Sequence, residues 1–258
     1  MTATYLDDIL DHHRAAAAAD IRSVDSLIDD ALAMEPTRGF RDALAVSGQL
    51  GVIAEIKRRS PSKGDLHADL DPGTMAATYE RGGASCLSVL TDAPHFGGSV
   101  ADLQAARSAC ALPVLRKDFT VSPLDVVDAR LMGADCVLLI AAALDRAELV
   151  DFHRLATEIG LDVLVEIHDE AELEHAVVAG ASLVGVNQRD LVTFHVDHAR
   201  AERMAGVIPD TSVKVAESGV RGGHDARRLE AAGYHAVLVG ETLVTSADPA
   251  GSIAELIG

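Results

Sequence analysis

Positive charge is what this chain has least of. Its 40 aspartates and glutamates face only 22 lysines and arginines, a formal net charge of −18. Nucleic acids and anionic membrane surfaces are polyanions, so neither is expected as a partner. Lysine is scarcer still, confined to Lys57, Lys63, Lys117 and Lys214. An anionic ligand must find a locally positive pocket, which makes each lysine worth placing. The three cysteines, Cys86, Cys110 and Cys136, have neither metal-ligand nor redox spacing. Two of them sit in apolar strand-like runs and read as reduced core thiols of a cytoplasmic protein. No apolar run approaches the ~20 residues of a membrane span. The opening MTATYLDDILDHH is acidic and amphipathic, unlike the basic-then-apolar start of a signal peptide. With 48% apolar and 24% charged residues and no long low-complexity tract, a soluble globular protein is expected.

What is present is alternation. From Gly51 onward, short β-branched runs alternate with longer helical stretches. The runs are 52–57, 86–90, 114–118, 136–140, 162–167, 183–187, 213–218 and 236–240. Eight βα units close a TIM (β/α)8 barrel, and 258 residues is the usual size of one. Helix starts are marked by Asp71-Pro72, Ser99, Ser122-Pro123, Asp145, Asp169 and Asp248-Pro249. Glu148 and Glu172 stand where a capping box needs them, three residues after Asp145 and Asp169. Gly82, Gly133, Gly160, Gly180 and Gly233 read as left-handed stops. An open doubly wound sheet is the structural rival. It normally has a glycine-rich loop after its first strand, where this chain has basic, serine-bearing AEIKRRSPSKG. Residues 1–50 read as two helices, 6–18 and 23–34, too short for a core of their own. They form an N-terminal extension packed on the barrel of 51–258, as a bottom plug or a lid.

In this fold, functional side chains gather at the C-terminal ends of the strands. The first run ends on Glu55 and Lys57, the third on Lys117, the fifth on Glu166, the sixth on Asn187 and the seventh on Glu217. Strand alternation puts Glu55 with Lys57, Leu115 with Lys117, Leu164 with Glu166 and Val215 with Glu217 on shared faces. If those faces point inward, two lysines and three glutamates converge at one mouth. A single buried charge is more often a structural ion pair. A set of them costs several kcal/mol per ion unless pairing offsets it, and an active site is the usual reason to accept that. Ser218-Gly219 and Gly240-Glu241 follow the last two strands, where barrels of this kind cradle phosphate with backbone N–H groups. Ser60 offers a hydroxyl nearby. Taken alone, each glycine is equally an ordinary turn residue.

The stretches VIAEIKRRSPSKGDL, LSVLTDAPHFGGS, PVLRKDF, GADCVLLI, LVEIHDEAELE, GVNQRDLVTF, VAESGV and AVLVGETL resemble, in order, the signatures of indole-3-glycerol-phosphate synthases. The resemblance implies an enzyme of tryptophan biosynthesis, a carboxy-lyase acting on 1-(2-carboxyphenylamino)-1-deoxyribulose 5-phosphate. It would close the indole ring with loss of carbon dioxide and water. The resemblance implies Lys117 as general acid and Glu166 as base, with Asn187 hydrogen-bonded to the intermediate. Lys57 would pair with the substrate carboxylate or share the acid role, while Glu55 and Glu217 orient the lysines. Phe96, Phe119 and Leu138 match the wall against the anthranilate ring, for which plain core packing is the alternative. Arg189 matches the arginine of NxRDL. No cofactor is implied, and no metal or nucleotide motif is seen. Two departures stand out. Leu124-Asp125 replace a Tyr-Gln pair, and FGGS carries glycine where asparagine is frequent, which is expected to loosen that loop.

The remaining candidates read as structural. His168 is expected to be structural or at the surface, and His12-His13 have no third ligand on their helix. Asp169–Glu174 reads as an acidic helix start, Lys214 as outside the pocket, and Lys63 as part of a loop that reaches substrate only on closure. Two rivals remain at this point. A phosphoribosylanthranilate isomerase would need a cysteine as base at the end of the first strand. A non-catalytic phosphate-binding barrel subunit would lack the key lysines or Glu166. A small phosphorylated substrate is the expected partner, and the chain a monomer or weak homo-oligomer.

Overall fold

A computed structural model describes residues 4–46, 48–190 and 192–258; Met1–Ala3, Ser47 and Leu191 lie outside it. Eight parallel strands close a barrel: β1 Gly51–Ile56, β2 Cys86–Leu90, β3 Val114–Lys117, β4 Cys136–Ile140, β5 Asp162–Ile167, β6 Leu183–Asn187, β7 Val213–Glu217 and β8 Ala236–Val239. This is the (β/α)8 barrel that the alternation predicts. β1, β3, β7 and β8 each stop one residue short of the expected end. Ser218 turns left-handed at φ 66°, and Gly240 caps the short helix Glu241–Val244, so neither continues its ladder.

Helices follow the strands and begin where their caps predict. Asp71, Ser99, Ser122, Asp145, Asp169 and Asp248 each accept a backbone N–H of the first turn. Asp145 and Glu148 form the full capping box. At Asp169 it is incomplete. Glu172 instead accepts from the His168 backbone N–H at 2.7 Å and pairs with its ring at 3.0 Å. Four of the five glycine stops are left-handed, but Gly82 is not. It stays helical at φ −74° while Gly83 takes the turn at +91°. A side chain at 82 would press on the Ala250 backbone, so packing rather than turning requires glycine there.

Strand alternation divides the core in two. Val52, Ala54 and Ile56 face outward to the helices with Leu87, Val89, Val137 and Leu139. Ile53, Leu115, Leu164 and Val215 face inward. The register fixes how inward residues stack. Glu55 lies level with Ser88, and Ser88 with Leu115. Because the strands are tilted, the residue at Glu55's height on β3 is two further on, Lys117. The same step leads from Lys117 to Glu166 on β5 and to Glu217 on β7. One more step returns through Leu238 to Glu55. Alternate strands thus supply an apolar layer of Ile53, Leu115, Leu164 and Val215, capped by a layer of Glu55, Lys117, Glu166 and Glu217.

Before the barrel come three helices, α1 Tyr5–Ala19, α2 Val24–Leu32 and α3 Phe40–Leu44. The third is too short to show helical periodicity. It inserts fully buried Phe40 and Leu44 into the inner core beside Ile53 and Cys86, plugging the end opposite the charged layer. α1 lies at the other end, where Tyr5, Leu6 and Ile9 line the mouth. The extension is therefore plug and roof at once.

The plug predicts an asymmetry. Phe40→Ala should cost about 3–5 kcal/mol of unfolding free energy in urea, through lost burial and the cavity left behind. Ile21→Ala, at a residue 98% exposed, should change it by less than about 0.5 kcal/mol.

Candidate active site

Above the charged layer opens a cavity of about 620 Å³. Its lining includes every sequence-predicted site residue: Glu55, Lys57, Ser60, Phe96, Lys117, Phe119, Leu138, Glu166, Asn187, Arg189, Glu217, Ser218, Gly219, Gly240 and Glu241. These fifteen residues come from all eight strand-and-loop units, which open onto the same end of the barrel.

Lys117 is the hub. Its Nζ donates to Glu166 Oε2 at 2.8 Å and Glu217 Oε2 at 3.0 Å. Glu166 Oε1 accepts from Asn187 Nδ2 at 2.9 Å, and Asn187 Oδ1 accepts the Arg189 backbone N–H at 3.0 Å. Glu55 holds the Lys57 ammonium. Glycine at two inward positions makes room for these carboxylates. A Cβ on Gly185 would overlap Glu217 Oε1, and one on Gly240 would overlap Glu55 Oε1.

Three carboxylates here face two ammonium groups, an excess of one negative charge in a nearly dry layer. The two carboxylates on Lys117 therefore diverge. Burial raises both, but for Glu166 the charges of Lys117 and His168 and the bonds from Lys117 and Asn187 more than offset it, so its pKa is lowered. For Glu217 burial wins, reinforced by repulsion from Glu166 and Glu55 against the pull of Lys117, and the carboxyl is pushed up to about 7. A proton on its Oε1, which no protein atom hydrogen-bonds, brings the cluster to neutrality. Burial would discharge Lys117 as well, but Glu166, Glu217 and Glu55 keep the ammonium above the ordinary lysine value.

Phe96 and Phe119 stand 6.3 Å apart between ring centroids and form one wall. Leu138, Ile140 and Leu90 add apolar surface. At the rim, Ser218 and Gly219 are consecutively left-handed, at φ 66° and 76°, which turns successive backbone N–H groups the same way. Ser218 is held in this uncommon conformation by a bond from Gln188 Nε2 to its carbonyl at 2.7 Å. Lys63 reaches Glu241 at 3.4 Å across the mouth. The Arg189 guanidinium donates to the Phe194 carbonyl at 3.1 Å, bracing its own loop.

The residues read as structural fall outside the charged layer. Lys214 Nζ donates to the Ala205 carbonyl at 2.8 Å, among the outer helices. The FGGS loop is pinned rather than loosened: Gly97 takes a left-handed φ of 65°, and the Gly98 N–H donates to the Asp92 carbonyl at 2.9 Å. His13 does find a partner in Asp92, whose Oδ2 also bonds His95. The sequence reading missed Tyr5, Leu6 and Ile9 on α1, and Phe194, His195 and Val196 after β6. The amphipathic start of α1 shows that it has an apolar face, but nothing local says which part of the barrel that face covers.

Fold and site together define a TIM-barrel enzyme with a charged floor, an aromatic wall and a glycine-bearing rim. Among solved structures, thiamine phosphate pyrophosphorylase from Pyrococcus furiosus is similar in fold, with a TM-score of 0.61 at 16% identity over 80% of this chain and 93% of that one. The family model for indole-3-glycerol phosphate synthase matches residues 6–256. Relatives of that name from a Nocardioides species and from Streptomyces griseus are 49% and 50% identical, covering 97% and 98% of this chain and 94% of each relative. The chain belongs to the indole-3-glycerol phosphate synthase family.

Two outcomes follow from the crowded floor. Gly185→Ala should displace Glu217 and cost about 1–3 kcal/mol of stability, with turnover lost well beyond what unfolding accounts for. A carboxyl raised in the folded state leaves the native protein binding more protons than the unfolded chain between pH 4.5 and about 7. Its contribution to stability is full below 4.5 and is lost as pH rises through that window. Glu217→Gln should flatten this decline in chemical-denaturation curves.

Proposed function

We propose that this enzyme converts 1-(2-carboxyphenylamino)-1-deoxyribulose 5-phosphate to indole-3-glycerol phosphate, carbon dioxide and water, with the work divided among the charges of the barrel floor. One observation carries the division: an ammonium shared by two unlike carboxylates, directly beneath an aromatic wall. The family supplies the reaction; the geometry supports the roles.

The substrate's phosphate sits against the N–H groups of Ser218, Gly219 and Gly240, with Ser60 adding a hydroxyl. Its anthranilate ring lies along Phe96, Phe119 and Leu138, and its carboxylate faces Lys57. This places the ribulose carbonyl over Lys117. As the ring carbon attacks, charge builds on the carbonyl oxygen, and Lys117 donates a proton to it. The C–CO2 bond then breaks, its electron pair returning to the ring and restoring aromaticity. No external electron sink is needed, because the iminium-like ring is one. In the last step the new hydroxyl leaves as water, protonated by an ammonium of the floor. Glu166, kept ionised by its neighbours, accepts the proton from the adjacent carbon. Glu217, whose proton is labile near neutrality, reloads Lys117. Asn187 holds Glu166 aimed throughout.

Formation of the fluorescent indole product tests the assignment. Lys117→Ala and Glu166→Gln should each lower kcat by about 10²–10⁴-fold while leaving the fold intact by circular dichroism. In single-turnover runs, Lys117→Ala should leave carbon dioxide unreleased, whereas Glu166→Gln should release it and stall before dehydration. Near-native turnover in either variant overturns that residue's role.

A further inference from the structure

A second cluster of ligand-bearing side chains lies at the seam between α1 and the loop after β2, outside the charged floor. Asp92 caps the one-turn helix Ala93–Phe96. Its Oδ1 accepts the backbone N–H groups of His95 at 2.7 Å and Phe96 at 3.2 Å. That leaves Oδ2 turned the other way, and two imidazoles converge on it: His13 Nε2 from α1 at 3.0 Å, and His95 Nδ1 at 2.9 Å. The three ligand atoms lie within 4.8 Å of one another. The carboxylate is nearly sealed, with its side chain 1% exposed, while the imidazoles at 16% and 19% leave an approach from solvent.

We propose that His13, Asp92 and His95 form a binding site for a divalent transition-metal ion of the zinc class, one that fastens α1 to the barrel. Two imidazole nitrogens and one carboxylate oxygen are a recurrent three-ligand set for such an ion, with water in the fourth position. Bonds of about 2.0–2.2 Å at tetrahedral angles need ligand atoms about 3.3 Å apart, so the two nitrogen–oxygen pairs open by roughly 0.3–0.4 Å. The ion displaces the protons now shared between the rings and Oδ2, and its charge replaces theirs beside the carboxylate. Asp118 strengthens the local field, its Oδ1 lying 3.8 Å from His13 Nε2. An overall charge of −18 favours a dication further.

The seam is also where a fastener has an effect. Of the fifteen residues of α1 only Ile9 is buried, so apolar packing holds this helix weakly. The His13 ring lies 5.4 Å from Phe119, and Phe96 follows His95 directly. Filling the site therefore stiffens the aromatic wall without placing an ion on the reacting atoms.

The test uses tag-free, chelator-treated full-length protein titrated with Co²⁺ and then Zn²⁺ at neutral pH. We expect one equivalent of Co²⁺ to give the visible bands of a low-coordinate site and to be displaced by Zn²⁺. Zn²⁺ should also slow amide hydrogen exchange across α1. His13→Ala and His95→Gln should each weaken Co²⁺ binding by more than about 10-fold and remove the protection of α1. His95→Gln keeps a hydrogen-bonding partner for Asp92, so the clamp survives without the ligand. His224→Ala, at an exposed histidine, should bind as the parent does. No stoichiometric binding by the parent, or undiminished binding by both His13→Ala and His95→Gln, overturns the site.

Discussion

Everything in this molecule turns on one ammonium group held between two carboxylates inside a barrel. Burying Lys117, Glu166 and Glu217 together is costly, since each charge loses its water, and the cost is bearable only because the three neutralise one another at 2.8 and 3.0 Å. The layer beneath is Ile53, Leu115, Leu164 and Val215, which gives the charges a dry base. Solvent therefore screens them only from the cavity side, and differences in surroundings become differences in proton affinity. Glu166 has an amide donor and stays ionised. Glu217 has an unpaired oxygen against Gly185 and tends to hold a proton. In the proposed mechanism this one charged layer supplies an acid, a base and a reserve proton, the parts that a ring closure followed by a dehydration requires.

The barrel achieves this by shear. Residues more than a hundred positions apart, Glu55 and Glu217 among them, come to one height because each second strand advances the register by two. The glycines at 185 and 240 belong to the same device, one on β6 and one just past β8, each leaving room for a floor carboxylate, Glu217 and Glu55. The extension completes the enclosure at both ends, with α3 plugging the apolar base and α1 roofing the aromatic wall. The net negative charge is unevenly placed: Lys57 and Lys63 line the mouth, where the proposed seating puts the anionic substrate.

Much of this was legible in the chain. The eight runs, their caps and the polar residues that end five of them follow from periodicity and local chemistry, and the side-chain parity of Lys117 and Glu166 gives their direction. What periodicity cannot give is partnership between distant segments. That Lys117 divides itself between Glu166 and Glu217, while Glu55 takes Lys57, depends on barrel tilt. Docking of α1 is likewise invisible, because a mostly exposed helix has too weak an apolar stripe to name its target. His13 looked solitary for that reason, its partner Asp92, which also bonds His95, lying on a loop across the fold. Gly82 misled in the opposite way: a glycine at a helix end suggests a turn, but here it admits the Ala250 backbone and leaves the turn to Gly83.

The most direct measurement of the central claim is a structure with a substrate analogue whose ribulose carbonyl has been reduced to an alcohol, so that it binds and cannot cyclise. The alcohol oxygen should lie about 3 Å from Lys117 Nζ, with the ring along Phe96 and Phe119 and the phosphate on the N–H groups of Ser218 and Gly219. An analogue seated with that oxygen away from Lys117, and the ammonium still bound to both carboxylates, would contradict the account.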